Sequence, residues 1–147
     1  ERKMQILIIA GQGGQLGAAL VKKLTECMPQ ATLTAIGTNA LATAAMHKAG
    51  ASRCASGENP VVVACRDADV ILGPIGIVIA DALYGEITPR MAQAVGSARA
   101  TRILIPMNRC ENLVAGIDKP SFSALVEDAV QKVRALVFES CALPQGR

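Results

Sequence analysis

The chain has 147 residues, 51% of them hydrophobic, and a formal net charge of +3 from 15 Lys+Arg and 12 Asp+Glu scattered along it. That length suits a single α/β domain, residues 1–147, and leaves no room for the nucleotide domain plus separate substrate domain of a two-domain dehydrogenase. With no basic run, no Trp, one Tyr and two Phe, it lacks both the cationic stripe and the stacking surface that nucleic acid requires.

The first apolar run, Ile6-Leu7-Ile8-Ile9-Ala10, predicts a strand over 5–10, followed by a helix over 15–28 that Pro29 stops. A second strand is expected over 32–37, then a helix over 40–49 ended by Gly50, and a short strand over 51–54. Asn59-Pro60 reads as a cap with a first-turn proline, opening a helix over 60–67. The apolar Asp69-Val70-Ile71-Leu72 suits a strand covered on both faces, emptying into Gly73-Pro74-Ile75-Gly76. Thr88-Pro89 starts a helix running to about residue 100, and 102–105 forms a fifth strand before Pro106. From about Ser121 a last helix carries Leu125, Val126, Ala129, Val130 and Val133 at core-facing spacing.

Strands alternating with helices predict a Rossmann-like three-layer sandwich with a mainly parallel sheet of about five or six strands. Ile6 to Ala10 is too short for the apolar core of a secretion signal. Val70 to Leu83, broken by Gly73, Pro74, Gly76 and Asp81, falls short of the ~20 residues of a membrane helix. The expectation is a cytoplasmic protein away from membranes. Five cysteines without a C-x-x-C pair, and a single histidine, His47, argue against a disulfide framework and against a metal site.

The turn Gly11-Gln12-Gly13-Gly14-Gln15-Leu16-Gly17 lies where a phosphate-cradling loop belongs, between a strand and a helix. Leu16 breaks the G-x-G-x-x-G pattern, so the better match is the G-x-x-G-x-x-G spacing of Gly11, Gly14 and Gly17. In that variant Gly11 makes the turn, Gly14 admits the pyrophosphate and Gly17 lets the helix pack on the strand, with the phosphate on the amides of Gly13, Gly14 and Gln15. The competing interpretation is a strand-to-helix turn with an empty mouth. In the usual strand order, Gly73-Pro74-Ile75-Gly76 would face this turn across one crevice.

A fold of this kind that prefers unphosphorylated ribose carries an acid about 20 residues after the glycine turn. Between Glu26 and Glu58 there is no carboxylate, and the second strand ends in Gly37-Thr38-Asn39. Thr38 and Asn39 offer hydrogen bonds to a ribose or a 2′-phosphate, so NADP is favoured over NAD, with another nucleotide or coenzyme A left open. Thr38-Asn39 reads equally well as a helix cap.

The chain resembles a family of short bacterial proteins of unknown function with a predicted Rossmann-like nucleotide-binding fold. The likeness covers residues 5–117 and rests on Gly11-Gln12-Gly13-Gly14, Gly37-Thr38-Asn39, Gly57-Glu58-Asn59-Pro60, Gly73-Pro74-Ile75-Gly76-Ile77-Val78-Ile79-Ala80-Asp81, Gly85-Glu86-Ile87-Thr88-Pro89 and Ile105-Pro106-Met107-Asn108. It implies the fold and the importance of those loops; the family carries no assigned reaction, so no catalytic residue is transferred.

Candidates for chemistry are Asp81 and Glu86 as general acid or base, and Asn108 and Cys110 after the fifth strand. Their bland counterparts are a cap or ion pair, a polar turn and an inert thiol. His47 reads as a surface histidine. No G-x-S-x-G elbow supports a serine triad. The functional expectation is a binder of a small nucleotide ligand, NADP-like, with oxidoreductase chemistry open. The alternative is a non-catalytic regulatory or structural subunit whose Ile75–Leu83 segment is either core or a homo-oligomer contact.

Overall fold

The computed structural model describes residues 2–107, 112–118 and 120–142, the last five of these by backbone alone. Five strands form one sheet: β1 (Gln5–Ala10), β2 (Thr32–Gly37), β3 (Arg53–Ser56), β4 (Val70–Pro74) and β5 (Thr101–Ile105). Their order is β3-β2-β1-β4-β5, and every pairing is parallel. The sheet reverses direction of growth between β1 and β4, which leaves a switch point at the carboxyl ends of those strands.

Side-chain alternation divides the core into two halves. Ile6, Ile8, Ala10, Leu33, Ala35, Val70, Leu72, Ile103 and Ile105 face α1 (Gln15–Cys27), Met46 of α2 (Ala40–Lys48) and α5 (Phe122–Ala142). Leu7, Ile9, Ile36 and Ile71 face α3 (Glu58–Cys65) and α4 (Pro89–Ser97). The α1 helix binds its face through Leu16, Leu20, Val21 and Leu24, all buried and three of them at i, i+4, i+8. Burial of each such side chain contributes about 1.5–3 kcal/mol.

Several boundaries differ from expectation; the α4 helix, for one, ends at Ser97 short of residue 100, and the α3 helix at Cys65 short of 67. The third strand runs over Arg53–Ser56 instead of 51–54, because the Ala51 amide is taken by Met46 O at the end of α2 and pairing begins at Arg53 with Thr34. The third helix starts at Glu58, two residues early: Gly57, at φ 101°, is its cap and ties its amide to Gly37 O. Asn59 and Pro60 therefore lie inside the first turn. Gly73 and Pro74 belong to β4, opposite Leu104 and Ile105, and only Ile75 and Gly76 enter the turn that follows, a 3-10 helix over Ile75–Val78.

The apolar segment after β4 is core in this chain. Ile77 and Leu83 are buried, and Val78 and Ile79 pack against the same cluster. Thr88 caps α4 as its sequence predicts, accepting from the Met91 amide, with Pro89 at the first position. Among the described residues no helix is long and apolar enough to cross a membrane.

Candidate functional site

The loops leaving β1, β2 and β4 converge on one carboxylate, that of Glu86. The Gln12 amide donates to Glu86 Oε1 at 2.8 Å, Thr38 Oγ1 donates to Oε2 at 2.9 Å, and Asn39 Nδ2 donates to Oε2 at 2.6 Å. Asn39 Nδ2 also reaches Gln12 O at 2.9 Å, while its Oδ1 accepts from the Ala42 amide and caps α2.

Local sequence explains each approach. A Gly14 amide bond to Gly11 O closes the turn after β1, with Gln12 at φ 51° and Gly14 at φ 77°. Gly11 is glycine because a Cβ there would stand 2.7 Å from Thr38 Oγ1 and 3.3 Å from Glu86 Oε1. The 79–87 segment is wound tightly by bonds from the Asp81 amide to Ile87 O, the Ala82 amide to Ile79 O and the Ile87 amide to Ala82 O. Asp81, Leu83 and Tyr84 hold left-handed backbone in it, at φ 65°, 56° and 55°. Buried Leu83 and Ile87 anchor the segment, which lets the intervening Glu86 reach across to Gln12.

Partial desolvation pushes the Glu86 carboxyl up, but the bonds from Asn39, the Gln12 amide and Thr38 outweigh it and hold the group below the ordinary glutamate range. The carboxylate is ionised at neutral pH. The start of α1 beside it is open: Gly14 gives no side-chain cap, there is no acid in the first turn, and no protein acceptor stands on the amides of Gln15, Leu16 and Gly17 among the described residues.

Of the residues singled out in the sequence, Gly11, Gln12, Thr38, Asn39 and Glu86 meet directly. Gly13 and Gln15 are exposed at the mouth, and a Cβ on Gly13 would meet nothing within 4 Å. Gly14 points elsewhere: its Cβ would stand 2.8 Å from Ala42 Cα, so its small size serves the approach of α2. Gly17 packs against Ala10 and Met46, in keeping with a close helix–strand contact, and Leu16 is buried. Gly37 is pressed by Thr43 of α2.

Gly73 lies in the sheet, where a Cβ would stand 2.5 Å from Ile9 O, and Pro74 and Gly76 are buried with it while Ile75 is half-buried. The 79–87 segment meets the β1 turn, through Glu86 on the Gln12 amide and Leu83 beside Gly11. Asp81 is exposed on that segment, and Asn108 and Cys110 lie outside the described residues.

Two neighbouring groups have structural duties. Glu58 Oε1 accepts from Thr88 Oγ1 at 2.9 Å, tying the start of α3 to the cap of α4. His47 Nδ1 lies 3.2 Å from Ala51 O and 3.8 Å from Cys54 Sγ, a thiol whose pKa is raised by burial. No group of three metal-ligating side chains exists among the described residues. A cavity of about 820 Å³ between β5 and α5, lined by Ile103, Ile105, Leu125 and Leu136, lies away from Glu86. The Glu86 junction lies beyond the strand carboxyl ends at the switch point, where ligands of parallel sheets bind, and is the candidate site.

Sequence reasoning weighed Glu86 only as an acid or base. It missed that this acid arrives at the tip of β2, where the chain itself offers none. The single glutamate in Gly85-Glu86-Ile87-Thr88-Pro89, with no carboxylate between Glu26 and Glu58 to serve the tip of β2, is the available signal.

Strand order, helices on both faces and the convergence of three loops at the switch point define a Rossmann-like doubly wound α/β protein. The chain belongs to the family described as a domain of unknown function, DUF3842, whose profile matches residues 5–138. A search of curated proteins gives no match. Among solved structures the chain is similar to a dodecameric FMN-dependent Ubix-like decarboxylase from Escherichia coli O157:H7, with 16% identity over 97% of each chain and a TM-score of 0.41. The fold assignment rests on the strand order and pairing given above.

Proposed function

We propose that the chain is a single ligand-binding domain that holds a nucleotide at the carboxyl edge of its sheet. The phosphate would lie on the amides of Gly13, Gln15 and Leu16; Gly14, whose amide is spent on Gly11 O, drops out of the donor set. The observation that carries this reading is the uncapped first turn of α1 opening beside exposed Gly13 at the switch point, with the dipole of a 13-residue helix behind it. Glu86 would meet the sugar, held in place by Asn39, whose two amide hydrogens are spent on Gln12 O and Glu86 Oε2. The reading is one of binding: the described residues supply no set of acid, base and nucleophile, so oxidoreductase chemistry would have to come from the cofactor.

Thermal shift with NAD, NADP, FAD, FMN, ATP and coenzyme A tests it. A ligand bound to the native state raises the melting temperature, so a melt unmoved by all six at about 1 mM removes any site of sub-millimolar affinity.

One observation favours the second reading, a non-catalytic structural or regulatory subunit. The smallness of Gly11, Gly14, Gly17, Gly37 and Gly73 is accounted for by contacts within the chain. On that reading Glu86 is a tie between loops, every ligand is silent, and sedimentation is the measurement that detects self-association.

A further inference from the structure

Glu86 occupies the place at the tip of β2 where an acid would meet a sugar, yet it comes from the segment after β4. We infer that Glu86 sets ligand specificity: its carboxylate accepts a free ribose hydroxyl and turns away ligands phosphorylated at that position, the reverse of the NADP preference expected from Thr38-Asn39, whose donors go to Glu86. The inference rests on the nucleotide-binding reading of the site.

The carboxylate has an acceptor position left for this. Of about four acceptor positions on a carboxylate, Oε2 uses two for Thr38 and Asn39, and Oε1 uses one for the Gln12 amide, which leaves one on Oε1. The three donors come from separate loops and fix the group without exhausting it. Gly11 lacks a side chain just where one would press on Thr38 Oγ1 and Oε1.

Charge points the same way. No lysine or arginine occurs in residues 4–21, 31–47 or 68–89, the stretches that supply all three loops. A phosphate on the ribose would therefore stand beside an ionised carboxylate with no side-chain cation from these stretches to offset it. A phosphate farther along, over the start of α1, has free amides and the positive helix end to offset the neighbouring carboxylate.

The test compares AMP, GMP, CMP and UMP with their 2′-deoxy counterparts, and AMP with adenosine 2′,5′-bisphosphate, by calorimetric titration of the wild-type protein. Each ribonucleotide that binds is expected to lose about tenfold in affinity without its 2′-hydroxyl, the size of a hydrogen bond to a charged group. The bisphosphate is expected to bind more weakly than AMP, and Glu86→Gln to narrow that gap to within about threefold, as removal of one charge implies. Equal affinity for ribo- and deoxynucleotide, or preference for the bisphosphate, overturns the inference and leaves the binding reading standing. So does binding confined to FMN or coenzyme A, neither of which presents an unsubstituted ribose diol. Silence of every compound, including the six cofactors above, removes the binding reading and the inference together. Should Glu86→Gln fail to fold, the wild-type comparison decides alone.

Discussion

Asn39 and Glu86, 47 positions apart, are joined by a 2.6 Å hydrogen bond in which the amide donates to the carboxylate. The same amide holds Gln12 O, and its oxygen caps α2, so one side chain serves the loops after β1, β2 and β4. Asn39→Ala removes all three bonds. The expected loss is about 1–3 kcal/mol of stability, read from urea denaturation with an unchanged m-value. Asn39→Asp keeps the cap but sets a second carboxylate against Glu86; its stability should recover as the pH is lowered. A variant as stable as wild type would mean that the three loops hold without this link.

Glu86 makes a pH prediction whose sign follows from its depressed pKa. Its contribution to stability is fully present above the unfolded-chain value, ordinarily 4.5, and is lost as pH falls through the lower folded value. The stability gap between wild type and Glu86→Gln should be widest at neutral pH and close under acid conditions. The comparison cancels titrations common to both proteins, including that of surface Glu127, also held low by Gln131 and Lys23. A gap independent of pH would show that the carboxylate charge contributes nothing to the junction.

Gly13 and Gly14 are adjacent but should respond differently to alanine. Gly14→Ala puts a Cβ 2.8 Å from Ala42 Cα at φ 77°, so it should cost about 1–3 kcal/mol through strain and clash with α2. Gly13→Ala meets open space and should leave the melt within about 0.5 kcal/mol of wild type. If the site binds a nucleotide at the start of α1, the stable Gly13 variant is the one that loses affinity. Intact affinity in that variant would move the phosphate elsewhere.

Thiol reactivity offers an independent check on the packing. Cys27 is exposed, Cys54 half-buried and Cys65 buried, its thiol pushed up to about 11 by desolvation. With iodoacetamide at pH 8 and peptide mapping, exposed Cys27 should label before Cys54, and Cys65 last of these three, since it is buried and the thiolate is the reacting species. Cys65 labelling in step with Cys27 would mean that α3 opens readily from the sheet.

Periodicity made the order of elements legible, and the chain alternates strand and helix as its apolar pattern demands. Local exceptions came from contacts that no window of sequence contains. Arg53 begins a strand only because α2 takes the Ala51 amide, and Gly57 displaces Asn59 as a cap through a bond to Gly37. At the candidate site Gly11, Gln12, Thr38 and Asn39 were legible as loop residues after parallel strands. The role of Glu86 was not, because nothing local says that a turn with Leu83 and Tyr84 in left-handed backbone will carry its acid back across the sheet. Gly14 misled for a related reason: spacing identifies a glycine but not the neighbour that makes it necessary.

The bond from the Gln12 amide to Glu86 spans 74 positions, whereas the turn that carries Gln12 closes on Gly11 and Gly14 alone. A contact of that separation forms only once β4 lies beside β1 and the following segment has docked, because loop closure must come first. The mouth of the molecule is thus expected to be assembled late in folding, after its first strand and helix. Hydrogen exchange at the Gln12 amide would time that event. Protection lost at Gln12 while the β1 amides stay protected would report the 79–87 segment lifting from a sheet that remains intact.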